Sequence, residues 1–195
     1  DLKRITRPVP GNHDYNQGRS EAEGYFDYFN GVGNLDGVAG GRGQGYYSFD
    51  MGYWHFIALN TNDGCRQIGC DPGSAMHTWL LQDLAHAKQK CVLAYFHHPR
   101  FLQGDMHQDN RAIAPIWDAL VDARADVVLT GHEHSFQALS PLDKNGKVDR
   151  ERGVRSFVVG TGGARPYVNP KPNHVEAIEA THLKVFGVLQ MMLKP

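Results

Sequence analysis

The chain has 195 residues, of which 41% are hydrophobic and 21% charged. This length and composition suit one globular domain with a buried core better than two domains. The formal net charge is −1, from 20 basic and 21 acidic residues spread along the chain, which excludes a basic surface of the kind that recruits nucleic acid or anionic lipid. No apolar run approaches the roughly 18 residues of a membrane span, so we expect neither a nucleic-acid nor a membrane partner.

The first half of the chain predicts loops followed by a β-hairpin. A turn with the sequence VPGNHDY occupies residues 9–15, and a glycine-dense stretch follows at 31–45. That stretch predicts a surface loop, because glycine loses much backbone entropy in a regular element and the glycine spacing of the nucleotide-binding motifs is absent. Residues 46–60 are rich in β-forming side chains on both sides of a turn at 50–52, which predicts a hairpin.

The middle of the chain predicts helices that alternate with buried strands. Ser74 is a suitable N-cap for a helix whose apolar residues, from Met76 to Ala87, have helical spacing. A second helix from Ile113 to Val121 carries Pro115 in its first turn, where proline is tolerated. The apolar runs at 91–96 and 126–130 predict strands, and the runs at 154–163 and 182–193 add β-structure. The predicted class is therefore mixed α and β, a sheet covered by helices.

Three cysteines, Cys65, Cys70 and Cys91, leave one thiol unpaired if a disulfide forms, and more than one pairing is compatible with their spacing. A disulfide implies an oxidising compartment, whereas three reduced thiols fit the sequence almost equally well.

Histidine recurs in three turns, GNHD at 11–14, FHHP at 96–99 and GHEH at 131–134. The second and third turns each follow a predicted buried strand. Because ligands collect beyond the carboxyl ends of the strands in open sheets, we expect the three turns to meet at one edge.

The GHEH turn is the sharpest of these signals. In an extended segment, residues two apart point to the same side, so His132 and His134 are expected to face together while Glu133 points away. Asn12 adds an amide oxygen and His97 another imidazole, a set that suits zinc, manganese or iron. Adjacent strand residues face opposite ways, and spacing alone does not choose between His97 and His98.

Most histidines in proteins are not ligands. Five here lack a partner motif and are interpreted as structural: His55, His77, His86, His174 and His182. A nucleophilic hydrolase is disfavoured, because the chain has no G-x-S-x-G sequence and no cysteine beside a histidine motif.

The stretches GNHDY, AYFHHPRF and GHEH together resemble the calcineurin-like metallophosphoesterases, and more closely their purple acid phosphatase-like branch. The likeness extends to GYYSFDMGYWHFIALN and SFVVGTGG, and so covers nearly the whole chain. It implies a metallophosphoesterase-type β-sandwich flanked by helices, here as a single domain over residues 1–195.

The resemblance also implies roles for individual residues. Asn12, His97 and His132 are implied ligands of one metal, and His134 of the other. His13 is implied as the catalytic residue beside the transferring phosphoryl group, and His107 as a contact to the phosphate. His98 then lies outside the set of ligands.

The activity that the resemblance implies is hydrolysis of phosphoric esters at a binuclear centre of iron, zinc or manganese, with a metal-bound hydroxide as nucleophile. A small phosphomonoester is the expected substrate, with phosphodiesters as the alternative. The family favours a secreted or periplasmic location.

The sequence departs from the family pattern in two places. An Asp-containing motif and a Gly-Asp motif precede the Asn-His turn in the family, and residues 1–10 contain neither. The residues after GHEH are SFQ, where the branch often has Tyr-Glu-Arg. We therefore expect a domain that is incomplete at its N-terminus, with one metal or none in this chain alone. The alternative to an enzyme is a non-catalytic binding module that retains at most one metal site.

Overall fold

In this computed structural model the described residues are 2–16, 20–62 and 65–194. They form three α-helices and seven strands, joined by loops and short 3-10 turns. The helices are α1 Glu23–Phe29, α2 Ala75–His86 and α3 Ala114–Asp122. The strands are β1 Tyr47–Met51, β2 Trp54–Ala58, β3 Cys91–Tyr95, β4 Val127–Thr130, β5 Phe136–Leu142, β6 Val154–Val159 and β7 Ile178–His182.

The strands form one seven-stranded mixed sheet in the order β1-β2-β3-β4-β6-β5-β7. The four central neighbours β2, β3, β4 and β6 are parallel, and antiparallel pairs extend the sheet on both sides. Parallel neighbours require crossover connections, and α2 and α3 supply the first two of them. The carboxyl ends of four strands consequently lie along the same edge.

Helices α2 and α3 cover one face of the sheet and enclose the main core. Leu80 of α2 and Trp117 of α3 are almost wholly buried, together with Ile57, Ala94 and Val128 from the strands beneath them. Period-2 alternation sends the intervening residues to the opposite face. The strands are therefore apolar on both faces, as parallel central strands usually are.

A smaller apolar cluster occupies that opposite face. Phe56, Leu93 and Val127 are its buried members, and Met191 and Leu193 pack against them. The C-terminal segment thus lies across the sheet as an irregular chain, which contradicts the strand predicted for 182–193: only His182 belongs to a strand, β7. The apolar run has no pairing partner among the described strands, and its side chains pack on the sheet face instead.

The hairpin and both predicted helices are confirmed. Strands β1 and β2 pair antiparallel from Tyr47–Ala58 to Met51–Trp54. The Ser74 side chain caps α2 by accepting a hydrogen bond from the backbone N–H of His77, and Pro115 stands at the start of α3. The glycine-dense stretch 31–45 contains no helix or strand, as predicted for a surface loop.

Three elements were not predicted, namely α1, β5 and β7, and only the last residue of β7, His182, falls within a predicted run. Helix α1 has seven residues, which is too short for helical periodicity to stand out. Strand β5 contains Pro141, a residue that argues against a strand, and its pairing with β6 shifts register between Leu139 and Leu142. Such an irregularity is one of the places where a sheet accommodates proline.

Cys65 and Cys70 form a disulfide, and Cys91 is free. This resolves the pairing that the spacing left open. Among the described residues, no helix has the length and hydropathy needed to cross a membrane.

The mixed α/β class is confirmed. The family resemblance implies a β-sandwich flanked by helices. The described residues form one sheet of it, with helices α2 and α3 on one face. That residues 1–195 constitute a single domain stays a prediction.

Candidate metal centre

Two of the three histidine turns leave adjacent parallel strands at the same edge of the sheet. Strand β3 ends at Tyr95 and β4 at Thr130, with Tyr95 opposite Leu129 in the register. Beyond these ends, the backbone N–H of Gly131 still donates to the His97 carbonyl at 2.9 Å. The FHHP and GHEH turns are therefore held side by side, as the strand-end rule predicted.

The GNHD turn, whose Asn12 precedes His97 by 85 residues, also lies at this edge. Its neighbour Tyr15 is 1% exposed, and the Tyr15 hydroxyl accepts a hydrogen bond from Asn60 Nδ2 at 2.6 Å. Asn60 follows β2 by two residues, so this bond anchors the turn to the edge. A Cβ at Gly11 would lie 2.9 Å from two atoms of the His97 ring, and glycine is therefore required for the turn to approach that imidazole.

Three polar atoms from the three turns converge. His97 Nε2 lies 2.8 Å from Asn12 Oδ1 and 3.1 Å from His132 Nδ1. The amide oxygen only accepts, so His97 Nε2 donates to it, and His132 Nδ1 can share that N–H as a second acceptor. Each of the three atoms can instead offer a lone pair to one cation, and the arrangement fits a metal ion.

The imidazoles of this cluster are held in the neutral form that binds metals. Burial, and then the charges of His13, His107 and His134, lower the pKa of His97 to about 4. Burial and four neighbouring histidines lower the pKa of His132 to about 2. Both side chains therefore present lone pairs at neutral pH.

His98 lies beside this cluster. Its ring nitrogen and those of His97 and His132 lie within 4.8 Å of one another, a grouping that can hold a metal ion. Burial, followed by the charges of His97 and His107, lowers the pKa of His98 to about 3. Its Nδ1 is 3.0 Å from the Thr61 hydroxyl, which leaves Nε2 as the nitrogen available to a cation.

His134 stands apart from that nitrogen cluster but faces the same cavity. Its Nδ1 donates to the Arg165 carbonyl at 2.8 Å, and its ring stacks on Tyr167 with centroids 4.3 Å apart. The hydrogen bond fixes the ring and leaves Nε2 free, the usual arrangement of a metal-ligating histidine.

The GHEH segment is not extended, in contrast to the prediction. His132 has a φ of 64°, in the left-handed region that non-glycine residues adopt at a cost of order 1–3 kcal/mol. The predicted result still holds, because His132 and His134 both line one cavity while Glu133 is 1% exposed. A tight turn, rather than strand alternation, produces it.

His107 also reaches the site. Its ring lies on that of His132, with centroids 3.8 Å apart and planes inclined by 36°. Its Nδ1 is 2.8 Å from Glu133 Oε2. His107, which only the family resemblance implied at the site, is thus in contact with the candidate ligand His132.

These turns enclose a cavity of about 320 Å³. His13 lies on its wall and is exposed to solvent. The wall contains the six site residues that the resemblance implies, together with Gly131, the last residue of β6 and the glycine-rich segment that follows it: Asn12, His13, His97, His107, Gly131, His132, His134, Val159, Gly160, Gly162, Gly163, Ala164 and Tyr167. No described residue of this wall carries a carboxylate.

Sequence reasoning missed three contributors: Thr61, Tyr167 and Gly160. Thr61 forms a hydrogen bond with His98, and Tyr167 stacks on the ring of His134. Neither contact has a local signal in the sequence. Gly160 was visible only as part of the GTGG context. A Cβ there would meet the Glu133 carbonyl at 1.9 Å, so glycine allows β6 to pass directly behind the GHEH turn.

The chemistry of the site follows from its composition. Several neutral imidazoles and one amide oxygen fit a borderline divalent cation such as zinc or manganese. Without a carboxylate on the described wall, the charge of two cations at close range is not offset. Fold and site together define an α/β protein with a candidate metal site at the carboxyl edge of a mixed sheet.

The comparisons with known proteins agree with this class. Residues 2–136 match the family model described as calcineurin-like phosphoesterase, so the chain belongs to the calcineurin-like phosphoesterase family. It is 29% identical over 125 residues to purple acid phosphatase 22 of Arabidopsis thaliana, covering 62% of this chain and 27% of that protein. It is 26% identical over 190 residues to an uncharacterized protein of Mycobacterium tuberculosis, covering 83% of this chain and 36% of that protein.

The fold is also found in a solved structure. The purple acid phosphatase PPD1 from yellow lupin seeds aligns with a TM-score of 0.62 at 18% identity, over 74% of this chain and 27% of that one. The resemblance to purple acid phosphatases is therefore confirmed. The chain spans about a third of the length of the curated relatives that it matches.

Proposed function

We propose that the protein to which this chain belongs hydrolyses small phosphoric monoesters at a metal centre built on the edge described above. The observation that carries the proposal is the convergence of Asn12 Oδ1, His97 Nε2 and His132 Nδ1 within 2.8 and 3.1 Å contacts. Family membership supports phosphoester hydrolysis. The neutral imidazoles support metal dependence.

The proposed ligands of one metal are Asn12, His97 and His132. When bound, a metal ion of this kind supplies a Lewis acid for the phosphoryl oxygens and lowers the pKa of a coordinated water. The proposed ligand of a second metal is His134, whose Nε2 is free because Nδ1 is engaged by the Arg165 carbonyl. Two such ions, iron, zinc or manganese, belong to the proposed intact site. For this chain alone we propose one ion or none, since the described wall offers no carboxylate.

The other two histidines act on the phosphoryl group in this proposal. His13 is exposed on the cavity wall, where a side chain can donate a hydrogen bond to a phosphate oxygen or to the leaving oxygen. His107 contacts the His132 ring and so stands next to the first metal position. Both roles need a hydrogen bond and no coordination.

The test is hydrolysis of p-nitrophenyl phosphate by the full-length protein, with added Mn²⁺ or Zn²⁺ and with a chelator. We expect turnover that the chelator removes and that His132→Ala lowers by at least about 100-fold. His77→Ala is the matched control, because His77 lies on α2 and does not line the cavity. Metal-independent turnover that survives His132→Ala would overturn the proposal. Comparing bis-p-nitrophenyl phosphate in the same assay distinguishes monoesters from the alternative diesters.

A second candidate function, that of a non-catalytic metal-binding module, is supported by the absence of carboxylates from the described wall of the cavity. A chain with this ligand set is suited to hold one metal as a non-catalytic module, because nothing on the described wall balances a second cation. It predicts at most one metal per chain and no turnover by the 195-residue chain. Two tightly bound metals per chain, measured by elemental analysis after dialysis, would contradict it.

We also propose a secreted or periplasmic location. The Cys65–Cys70 disulfide supports it, since disulfides persist in oxidising compartments. Cell fractionation of the full-length protein tests this location directly.

A further inference from the structure

Glu133 is a buried carboxylate beside the candidate metal centre for which the proposed function gives no role. Its side chain is 1% exposed, and it lies between His132 and His134 in the sequence. A carboxylate is costly to bury unless hydrogen bonds compensate for the lost water. The hydrogen-bond partners of its two oxygens therefore indicate the role of Glu133.

Both oxygens of Glu133 bind the segment that carries His107. Oε1 accepts the backbone N–H of Asp105 at 2.6 Å, and Oε2 accepts from His107 Nδ1 at 2.8 Å. The backbone N–H can only donate, so its bond assigns Oε1 as an acceptor in every state of the protein. Oε2, as a carboxyl oxygen, accepts from the Nδ1–H of His107, which places a proton of that ring on Nδ1.

The same segment is attached to the opposite wall of the cavity. Asp105 Oδ2 accepts the backbone N–H groups of Val168 and Asn169, each at 3.0 Å. These residues follow Tyr167, which stacks on His134. The hydrogen bonds therefore connect Glu133 to the wall that holds His134 as well as to His107.

The His107 ring has little freedom once its Nδ1 is engaged. It packs on His132 with centroids 3.8 Å apart, and 29% of its side chain is exposed. Since Nδ1 is bonded to Glu133, Nε2 is the ring nitrogen left for a ligand in the cavity. In many functional sites, a carboxylate behind a histidine accepts one ring N–H and so fixes the tautomer and the orientation of the ring.

We propose that Glu133 is a positioning residue that fixes the His107 ring against His132 with Nε2 available to the phosphoryl group of the substrate. The inference rests on the proposed function for what Nε2 binds. The placement of the ring and its tautomer follow from the contacts of Glu133 alone.

The first test measures the tautomer and needs no activity. Long-range ¹H–¹⁵N correlation spectra of ¹⁵N-histidine-labelled full-length protein, recorded with and without Zn²⁺, report which ring nitrogen carries the proton. We expect Nδ1–H for His107 in the wild type. In Glu133→Gln the amide oxygen stays with the Asp105 N–H, so the amide NH₂ faces His107 Nδ1 and the tautomer inverts to Nε2–H.

The second test measures coupling in steady-state hydrolysis of p-nitrophenyl phosphate. We expect Glu133→Gln to lower kcat by about 10-fold or more with a much smaller change in KM. In the His107→Ala background the same substitution is expected to have no further effect, because residues that act as a unit are non-additive. Bound metal, measured by elemental analysis, is expected to stay at the wild-type level.

Glu179→Gln is the matched control. Glu179 is also a carboxylate that accepts side-chain hydrogen bonds, from Ser140 and Arg155, but it lies in β7 away from the cavity wall. It is expected to leave both the tautomer and kcat unchanged. An unaltered His107 tautomer in Glu133→Gln, or additive losses in the double variant, would overturn the positioning role. If the wild type hydrolyses no ester with either metal, the proposed function fails and the spectra alone decide the role of Glu133.

Discussion

Asn12 and His97 are separated by 85 positions in the chain, yet Asn12 Oδ1 and His97 Nε2 lie 2.8 Å apart. The contact is produced by the anchoring of the GNHD turn to the sheet edge through Tyr15 and Asn60. A side chain close to the beginning of the chain thereby becomes part of a site formed by β3 and β4.

The first prediction concerns the Asn12 amide. Asn12→Ala removes one of the three converging candidate ligand atoms, and we expect the affinity for Mn²⁺ or Zn²⁺ to fall by at least about 10-fold. Isothermal titration of the metal measures this change. Asn173→Ala is the control, because Asn173 is exposed and its backbone N–H, which the substitution keeps, donates to the Lys171 carbonyl. Equal affinities for Asn12→Ala and the wild type would remove Asn12 from the site.

The second prediction concerns Gly11. A methyl group at Gly11 would lie 2.9 Å from the His97 ring, closer than a Cβ tolerates, so the ring must move away from Asn12 and His132. We expect Gly11→Ala to weaken metal binding while the far-ultraviolet circular dichroism stays native.

Gly24→Ala is the contrasting substitution for that experiment. Gly24 lies in α1, and a Cβ there meets nothing within 4 Å. We expect this change to leave metal binding intact and to raise the free energy of unfolding by about 0.5–1 kcal/mol, because alanine is the better helix former. Metal binding that is unchanged in Gly11→Ala would show that the close approach has no functional importance.

The third prediction concerns pH and His55, one of the histidines interpreted as structural. His55 Nδ1 lies 2.6 Å from Asp50 and Nε2 lies 2.8 Å from Asp83. Burial by itself lowers the pKa of His55, but the hydrogen bonds and charges of the two carboxylates outweigh it, and the net pKa is raised. The folded protein therefore binds the proton more tightly than the unfolded chain does.

The sign of the pH effect follows from this difference. The stabilisation by His55 is fully present below the unfolded pKa of about 6.5 and is lost as the pH rises through the raised folded pKa. Urea unfolding of the wild type and His55→Gln is expected to differ more at about pH 6 than at about pH 9. A difference that grows with pH would contradict the arrangement of a charged imidazole between two carboxylates.

The fourth prediction concerns the disulfide between Cys65 and Cys70, which closes a short loop at a sequence separation of 5. On chain-entropy grounds a loop of this size contributes about 2 kcal/mol to the free energy of unfolding. Urea unfolding of Cys65→Ser/Cys70→Ser compared with the wild type measures the loss. Cys91→Ser, at the free thiol of β3, is expected to change stability much less.

Much of the fold was predictable because its elements have strong local signals. The hairpin of β1 and β2, the Ser74 cap of α2 and the buried strands β3 and β4 each combine periodicity with a recognisable turn or cap. Helix α1 is too short for periodicity, and β5 contains Pro141. The run at 182–193 is apolar enough for a strand, but pairing depends on a neighbour that the local sequence does not specify.

Residue types and their spacing indicated which side chains can bind a metal and that the turns carrying His97 and His132 follow strands. Their order along the chain was sufficient to predict a common edge, because parallel strands present their carboxyl ends together. The tertiary structure alone decided the rest: the approach of Asn12 through Gly11, the left-handed turn at His132, the proximity of His98, and the engagement of His107 by Glu133. Each of these depends on contacts between residues far apart in the chain, and such contacts are fixed by packing and hydrogen bonding rather than by local propensity.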